Sequence, residues 1–320
     1  MERYGRRRHT KEYARTIRAH KKYCCDFVEK TLQKIAVWGR IDMVQFIANA
    51  MLSRCCTFLT GGRARRLAYA YNTDELADCA AGGALVIGRG SNVLFGDGGY
   101  DGDVAVNRTN CRAFAGETCV CDSGVLMSVL AREYAATGRE GLAWAYGLPG
   151  SVGGAAIGNA GAFGGCMADV VQSVTVLADG EVRTLCADEC GFSYRHSDIR
   201  GTILRLTLKA KFGDGEQIRA ACESNLRARK SRQPLGASAG SVFKRATSGV
   251  AAGELIDRAG LKGLSAGGAL ISEKHANFIL NRGGATSGDI IQLIGTAQAV
   301  VYDAFGIRLE REIRLLGDFF

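Results

Sequence analysis

Glycine-rich segments give the first indication of chemistry in this 320-residue chain, because their backbone can lie directly against a ligand. The densest spans residues 147–165 (GLPGSVGGAAIGNAGAFGG) and holds eight glycines among nineteen positions. Ordered glycine costs conformational entropy, so such a run is either a flexible linker or a backbone shaped to lie against something. Linkers are polar, whereas this run carries Leu148, Val152, Ile157 and Phe163. The run therefore favours a backbone surface for a large, flat ligand that carries phosphates.

A second glycine motif lies upstream, where a predicted strand at residues 84–87 is followed by GRGSN at residues 88–92. Backbone N–H groups of such a loop can converge on a pyrophosphate, because missing β-carbons allow close approach. A plain tight turn would explain the motif equally well, and Val93 replaces the third glycine of the dinucleotide fingerprint GxGxxG. Together the two glycine segments suit a ligand with a pyrophosphate and a large ring system, a description that FAD fits.

Three further segments carry candidate polar chemistry. Arg195, in CGFSYRHS, could direct its guanidinium at an anion or a developing oxyanion, or could be a surface arginine. Ser241, in SAGSVFKR, follows a flexible pair of small residues, but no GxSxG elbow surrounds it, which argues against a serine-hydrolase nucleophile. The segment SEKHANF at residues 272–278 is either a polar turn or a ligand contact.

Charge and composition exclude several classes of function. Residues 1–40 hold twelve Lys/Arg and four Asp/Glu, so they account for +8 of the net charge of +9. The basicity belongs to this N-terminal segment, which is a solvated basic helix or a contact for RNA or acidic lipid, and a nucleic-acid-binding fold is not indicated. No apolar run is long enough to span a membrane, and no secretory signal is present. Twelve scattered cysteines without a CxxC pair predict reduced thiols in the cytoplasm and no metal site.

Hydrophobic periodicity predicts a mixture of short strands and helices, and hence an α+β fold. Helical spacing covers residues 10–52, and a helix at residues 73–81 has Thr73 as its predicted cap. Asp179-Gly180 predicts a hairpin turn. Further helices are predicted at residues 126–137, 216–232, 252–259 and 287–305, and further strands at 93–95, 104–106, 119–122, 170–177, 181–185, 203–212, 241–244, 278–280 and 309–316.

Taken together and in order, these segments closely resemble the MurB family, the UDP-N-acetylenolpyruvoylglucosamine reductases. The resemblance runs from Thr57 to Gly317 and is carried by GRGSNVLF, the glycine run 147–165, CGFSYRHS, SAGSVFKR, AGELIDRAGLKG, SEKHANFILN and LEREIRLLG. The YRHS and SEKHANF forms are similar to the type II branch of the family.

The resemblance implies a fold, a reaction and its cofactors. The fold is an FAD-binding domain of the vanillyl-alcohol-oxidase/PCMH type in two subdomains (residues 46–213) with an α+β substrate-binding domain (214–308). A C-terminal strand (309–320) returns to the active site, and a basic helical extension (1–45) has no family counterpart. The implied activity is the NADPH-dependent reduction of UDP-N-acetylglucosamine enolpyruvate to UDP-N-acetylmuramate through bound FAD, in the cytoplasm.

The resemblance also implies site residues. Arg195 would stabilise the enolate, Glu312 would hold the enol side, and Ser241 would donate the proton to the adjacent carbon. Tyr194, Arg232 and Lys244 would anchor the substrate. The residues expected to bind the cofactor are Gly88, Gly90, Ser91, Asn92, Gly147, Gly150, Ser151, Gly153, Gly154, Asn159 and Gly161.

Three positions depart from the family pattern, namely Arg63, Ala246 and Glu254, and none of them removes an expected catalytic residue. Two other functions stay open from the sequence. One is a different FAD-dependent oxidoreductase, and the other is a non-catalytic protein that binds a nucleotide sugar, or RNA through the basic segment.

Overall fold

A computed structural model describes residues 44–319, which belong to one compact unit, Val44–Phe320. The predictions for the basic extension up to residue 43 lie outside the described residues. The α-helices are α1 (Thr73–Ala81), α2 (Met127–Ala136), α3 (Val152–Ile157), α4 (Met167–Val170), α5 (Gly215–Arg232), α6 (Ala252–Arg258) and α7 (Ser287–Phe305). The strands are β1 (Ile47–Met51), β2 (Arg63–Ala70), β3 (Leu85–Ile87), β4 (Val93–Phe95), β5 (Tyr100–Asn107), β6 (Arg112–Ala115), β7 (Thr118–Asp122), β8 (Gly161–Ala162), β9 (Gly165–Cys166), β10 (Val171–Ala178), β11 (Glu181–Cys186), β12 (Thr202–Lys209), β13 (Ser265–Ala266), β14 (Ala269–Ile271), β15 (Ile279–Asn281) and β16 (Arg314–Leu316).

The first sheet has the order β1-β2-β5-β3, with β1 antiparallel to β2 and the other two pairs parallel. The helical prediction for residues 10–52 is wrong from Ile47 onward, because pairing with β2 overrides the local apolar spacing. The cap of helix α1 lies one residue before the predicted one: the side chain of Asn72, not that of Thr73, accepts the hydrogen bond from the Glu75 amide.

The second sheet is antiparallel in the order β11-β10-β12-β7-β6. Asp179 and Gly180 have φ values of 52° and 78°, so the predicted hairpin turn between β10 and β11 is confirmed. Side chains of the sheet and of α2 and α3 form one buried apolar cluster, which includes Leu130, Tyr134 and Leu206. This cluster fixes the start of the glycine run against the sheet.

Residues from α6, α7 and the small sheet β13-β14-β15 share their apolar core with the first sheet. Leu94 and Val104 from the N-terminal half are buried in the same cluster as Ile256 and Leu293. From Ala239 onward, the residues expected to form the substrate domain therefore share a core with the first sheet, whereas Ile218 and Cys222 of α5 pack with Ala135 of α2. Helix α7 has the predicted bounds, Ser287–Phe305.

The C-terminal segment closes the fold by pairing β16 in parallel with β4, with Leu315 opposite Leu94. The predicted strand at residues 309–316 shortens to these three positions. The predicted strand at residues 241–244 is wrong, since only an isolated bridge joins Phe243 to Arg311 there. Beyond β16, Gly98 N–H donates to Asp318 O at 3.0 Å.

None of the helices within residues 44–319 has the length and apolarity needed to cross a membrane. The same residues contain no group of three or more His, Cys, Asp or Glu side chains arranged to hold a metal ion.

Gly96 is the position where the closing segment approaches most tightly. A β-carbon built at Gly96 would lie 1.8 Å from the Asp318 carbonyl oxygen, so Gly96→Ala must displace the C-terminal backbone. We expect this change to lower the free energy of unfolding by about 1–3 kcal/mol, measured by urea denaturation. Gly295→Ala in α7 is the matched control, because nothing lies within 4 Å of its built β-carbon, and it should gain up to about 1 kcal/mol. A Gly96→Ala protein as stable as the parent would contradict the closure.

Candidate active site

The structure brings the two glycine segments into direct contact. A β-carbon built at Gly88 would lie 2.3 Å from Ser151 Oγ, and one built at Gly150 would lie 2.8 Å from Ser91 Oγ. A third loop joins them, since Val152 N–H donates to Val125 O at 2.8 Å. The run 147–165 is ordered structure, with α3 and the β8–β9 hairpin inside it, so the linker interpretation is wrong.

The glycines expected to bind the cofactor divide into those that face their own chain and one that faces outward. The nearest neighbours of the built β-carbons are Cys55 O at 2.1 Å for Gly90, Leu226 Cδ1 at 2.9 Å for Gly147, Ser123 Cβ at 2.7 Å for Gly153 and Cys166 Cβ at 2.8 Å for Gly161. Gly154 is exposed, and its built β-carbon meets only Ser151 Oγ, at 3.4 Å. Gly154 is thus the expected contact that has open space on its outer side.

Arg195 is presented by a tight turn whose ends are the mutually hydrogen-bonded residues Ser193 and His196. Its φ of 56° is uncommon for a side chain other than glycine and indicates a conformation imposed by the surroundings. Asn159 holds this turn: its amide donates to Ser193 O at 2.9 Å and accepts from Ala168 N–H at 3.0 Å. Asn159, expected at the flavin, therefore uses its amide to position the arginine turn.

Arg195 and Glu312 form an ion pair, with 2.8 Å between Nε and Oε1. The Arg195 Nη1 also donates to Gly161 O at 3.1 Å, which fixes the guanidinium beside the β8–β9 hairpin. Burial raises the pKa of Glu312 above its ordinary value, although Arg195 and Lys244 act in the opposite direction. The pair thus places a permanent cation against a carboxyl whose pKa is raised by burial.

The backbone of Glu312 connects this pair to two other expected residues. Its N–H donates to Val242 O at 2.8 Å, which places Glu312 beside the residue that follows Ser241. Its carbonyl accepts from the Asn92 side chain at 3.2 Å, and Arg314 N–H donates to Asn92 O at 3.0 Å. Asn92 therefore links the GRGSN loop to the C-terminal segment.

Ser241 is positioned by Asn277, a residue that sequence reasoning left without a role. The side chain of Asn277 accepts from Phe243 N–H at 2.9 Å and donates to Phe243 O at 2.8 Å, while its carbonyl accepts from Val242 N–H. Ser241 is half-buried, and within residues 44–319 no hydrogen bond engages its hydroxyl. For Asn277, the polar-turn interpretation of SEKHANF is the one that the contacts support.

Two of the three expected substrate anchors join this cluster. Lys244 Nζ contacts Glu310 Oε1 at 2.5 Å and its backbone N–H donates to Glu310 O. The Tyr194 hydroxyl accepts from Arg245 N–H at 3.1 Å, and its ring lies 5.5 Å from the Arg195 guanidinium. Both side chains therefore adjoin the Arg195–Glu312 pair.

Arg232, the third expected anchor, is exposed at the end of α5, and no contact with the cluster holds it. One helical turn earlier, Arg229 is half-buried and lies 5.4 Å over the Phe163 ring of the glycine run. Its Nε and Nη2 have no hydrogen-bond partner among the described residues, and burial lowers its pKa. The three-residue spacing between two arginines was the only sequence signal for this position.

Two family models and several known proteins match this chain. The family model described as UDP-N-acetylenolpyruvoylglucosamine reductase, C-terminal domain, matches residues 232–316, and an FAD binding domain model matches residues 74–185. UDP-N-acetylenolpyruvoylglucosamine reductase of Heliobacterium modesticaldum is 38% identical over 86% of this chain and 91% of its own. The Enterococcus faecalis protein of the same name is 40% identical over 88% of this chain and 98% of its own.

A solved structure is also similar, the UDP-N-acetylenolpyruvylglucosamine reductase (MurB) from Thermus caldophilus. It is 35% identical with a TM-score of 0.75, and the match covers 85% of this chain and 98% of that one. The α+β expectation, with an FAD-binding domain, is thereby confirmed.

The raised pKa of Glu312 predicts a specific dependence of stability on pH. Between the ordinary value of 4.5 and the raised value, the folded chain binds more protons than the unfolded chain, so this residue's contribution to stability falls as pH rises. Glu312→Gln cannot titrate. The free energy of unfolding of Glu312→Gln minus that of the parent should therefore increase as pH rises above about 4.5. The difference should then become constant once Glu312 is ionised in the folded parent.

Urea denaturation between pH 4 and pH 8 measures this difference. The exposed Glu273 provides the control, and Glu273→Gln should leave the shape of the profile unchanged. A constant or decreasing difference between Glu312→Gln and the parent would show that the carboxyl is not held toward its neutral form.

Proposed function

The chain belongs to the UDP-N-acetylenolpyruvoylglucosamine reductase family, and from that premise we propose how its own residues carry out the family's reaction. It is an FAD-dependent oxidoreductase that uses NADPH to reduce UDP-N-acetylenolpyruvoylglucosamine in peptidoglycan synthesis. Family membership sets aside the alternatives of a non-catalytic binding protein and of an unrelated flavoprotein reaction. The observation that carries the residue assignments is the convergence of Arg195, Glu312 and the Ser241 segment at one point.

The glycine loops fit FAD. The contacts of Gly88 with Ser151 and of Gly150 with Ser91 make one backbone surface, and the exposed Gly154 leaves room beside it. We assign this surface to FAD, with Asn92 at the end of the loop nearest to Glu312. When bound, FAD supplies the hydride that it has received from NADPH.

Arg195 and Glu312 act on the carboxylate-bearing end of the enolpyruvoyl group. Hydride addition to the terminal carbon places negative charge on the adjacent carbon and its carboxylate. A planar, permanently charged guanidinium stabilises that charge, and its ion pair and its bond to Gly161 O hold it in place beforehand. We assign Glu312 to the enol side of that fragment, which it would hold through a hydrogen bond, and burial raises the pKa of its carboxyl.

Ser241 completes the reduction by donating a proton to the carbon next to the one that receives the hydride. The hydride and the proton together saturate the carbon–carbon double bond. The clamp of Asn277 on Val242 and Phe243 fixes the backbone on one side of Ser241, and no partner within residues 44–319 occupies the hydroxyl. The Ser241 hydroxyl is thus available to bind the substrate.

Substrate anchoring and domain roles follow the same arrangement. We assign Tyr194 and Lys244 to the nucleotide sugar because both adjoin the Arg195–Glu312 pair. We assign Arg232 to the nucleotide sugar as an outer anchor, which would have to change its side-chain conformation to reach it. Residues 46–213 would bind FAD, residues 214–308 the substrate, and residues 309–320 would complete the site. The ten described cysteines are free, which supports the proposed cytoplasmic location.

The role of Ser241 is tested by separating the two half-reactions. In Ser241→Ala, reduction of bound flavin by NADPH should proceed as in the parent, because no proton reaches the sugar in that step. Reoxidation by UDP-N-acetylenolpyruvoylglucosamine should slow by about 10²–10⁴-fold, measured by anaerobic stopped-flow absorbance. Ser238→Ala, three residues upstream, is the control and should slow neither step. An equal loss in both half-reactions of Ser241→Ala would refute its role as proton donor.

The glycine surface is tested by a matched pair of substitutions in α3. Gly154→Leu projects outward and should weaken FAD binding at least about tenfold, measured by flavin fluorescence, with the melting temperature preserved. Gly153→Leu meets Ser123 Cβ, 2.7 Å from the built β-carbon, and should instead lower the free energy of unfolding by about 1–3 kcal/mol. Unchanged FAD affinity in Gly154→Leu would move the cofactor away from this surface.

A further inference from the structure

Arg89 carries an incompletely satisfied guanidinium at the junction of the glycine loops. Its Nη2 lies 3.5 Å from Gly124 O, at the outer limit of a hydrogen bond. Its Nε is buried and has no hydrogen-bond partner among the described residues. Within residues 44–319, no carboxylate forms an ion pair with Arg89 either.

A buried guanidinium N–H without an acceptor lowers the stability of the fold unless a ligand supplies that acceptor. A guanidinium does not deprotonate in proteins, so it cannot escape burial by losing its charge. Removing a charge from water without a partner is costly, and an anion or a set of acceptors is the usual compensation. Arg89 is half-buried, and its Nε N–H is buried without an acceptor, so an anionic ligand at this loop would complete it.

The acidic residue closest in sequence to Gly124 is Asp122, and it already has two partners. Asp122, which ends β7 just before Gly124, contacts Arg205 with 3.2 Å between Oδ1 and Nε. Its other oxygen accepts from Cys111 N–H at 2.8 Å. Asp122 is thus engaged by two partners of its own, and it forms no ion pair with Arg89.

The surroundings identify the class of that anion. Three backbone loops meet around Arg89: GRGSN, residues 123–125, and Gly150 with Ser151. Asn92, three residues along the same loop and so within about 11 Å of extended chain, is bonded to Glu312 at the reacting end of the site. One loop thus has a cation at one end and the reaction centre at the other. FAD has the same arrangement, because its ribityl chain separates the flavin ring from the pyrophosphate.

We propose that Arg89 is the cation that binds the pyrophosphate of FAD, through its Nε and remaining N–H groups. This inference rests on the proposed function, since it takes FAD as the occupant of the loops. It adds a charged side chain to a cradle otherwise made of backbone and serine groups. The arginine is suited to that role because its planar fork can donate two hydrogen bonds to one phosphate.

The first test compares FAD affinity among variants of the full-length protein after removal and re-addition of the cofactor. Arg89→Gln should weaken FAD binding by about 10- to 100-fold, measured by quenching of flavin fluorescence. Arg89→Lys should fall between this variant and the parent, because it keeps the charge without the fork. Arg200→Gln removes an exposed arginine elsewhere and should leave FAD affinity unchanged. Parent-like affinity in Arg89→Gln would overturn the proposal.

A second measurement separates ligand binding from a structural role. Because the guanidinium is uncompensated without FAD, the cofactor-free Arg89→Gln protein should be at least as stable as the cofactor-free parent in thermal denaturation. If Arg89 served only to hold Gly124, the cofactor-free variant would lose stability along with its FAD affinity. That combination would overturn the proposal.

The third measurement identifies the part of FAD that is bound. ADP and adenosine differ only by the diphosphate, so each is used to displace FAD from the parent and from Arg89→Gln. The preference for ADP over adenosine should fall about tenfold in the variant. An unchanged preference, or a raised KM for NADPH or the nucleotide sugar at normal FAD affinity, would overturn the proposal while leaving the reductase function intact. A parent protein that binds no FAD would instead overturn the function.

Discussion

The site depends above all on the two-sided hydrogen bonding of the Glu312 backbone. Its N–H is bonded to Val242 and its carbonyl to Asn92, which lies 220 residues earlier in the chain. These bonds form because β16 adds in parallel to β4, and the tight approach at Gly96 leaves no room for a different path. The acid, the serine segment and the cofactor loop are therefore positioned by backbone contacts.

The electrostatics of the site follow from that placement. A carboxyl brought into partial burial by a strand is disfavoured as an anion, and the neighbouring Arg195 offsets this only in part. Arg195 in turn is held in a left-handed conformation by a turn that Asn159 secures from the glycine run. The glycine run, which we assign to FAD, thus also fixes the turn that carries Arg195.

The features that the sequence predicts correctly are those that depend on residues close together in the chain. The span of α7 and the Asp179-Gly180 turn follow from capping, periodicity and left-handed φ preferences, and the structure has them as expected. Pairing between distant segments decided the rest: β1 replaced a helix because β2 was available, and the Ser241 segment is fixed by Asn277 rather than by a strand ladder. The GRGSN loop and the glycine run were expected to share a ligand, but their direct contact is a tertiary fact that no spacing along the chain encodes.

Arg89 and Arg229 show why such a site is difficult to recognise from a sequence. Each has a buried guanidinium nitrogen without a partner among the described residues; Arg89 lies within the GRGSN loop and Arg229 lies against Phe163. A sequence shows two ordinary arginines, because the missing partner is visible only once the surroundings are known. In each, a buried N–H group without an acceptor costs free energy in the folded chain. If an anionic ligand supplies the missing acceptor, as we propose for Arg89, its binding stabilises the folded chain by mass action, and the stability of this protein then follows the occupancy of its site.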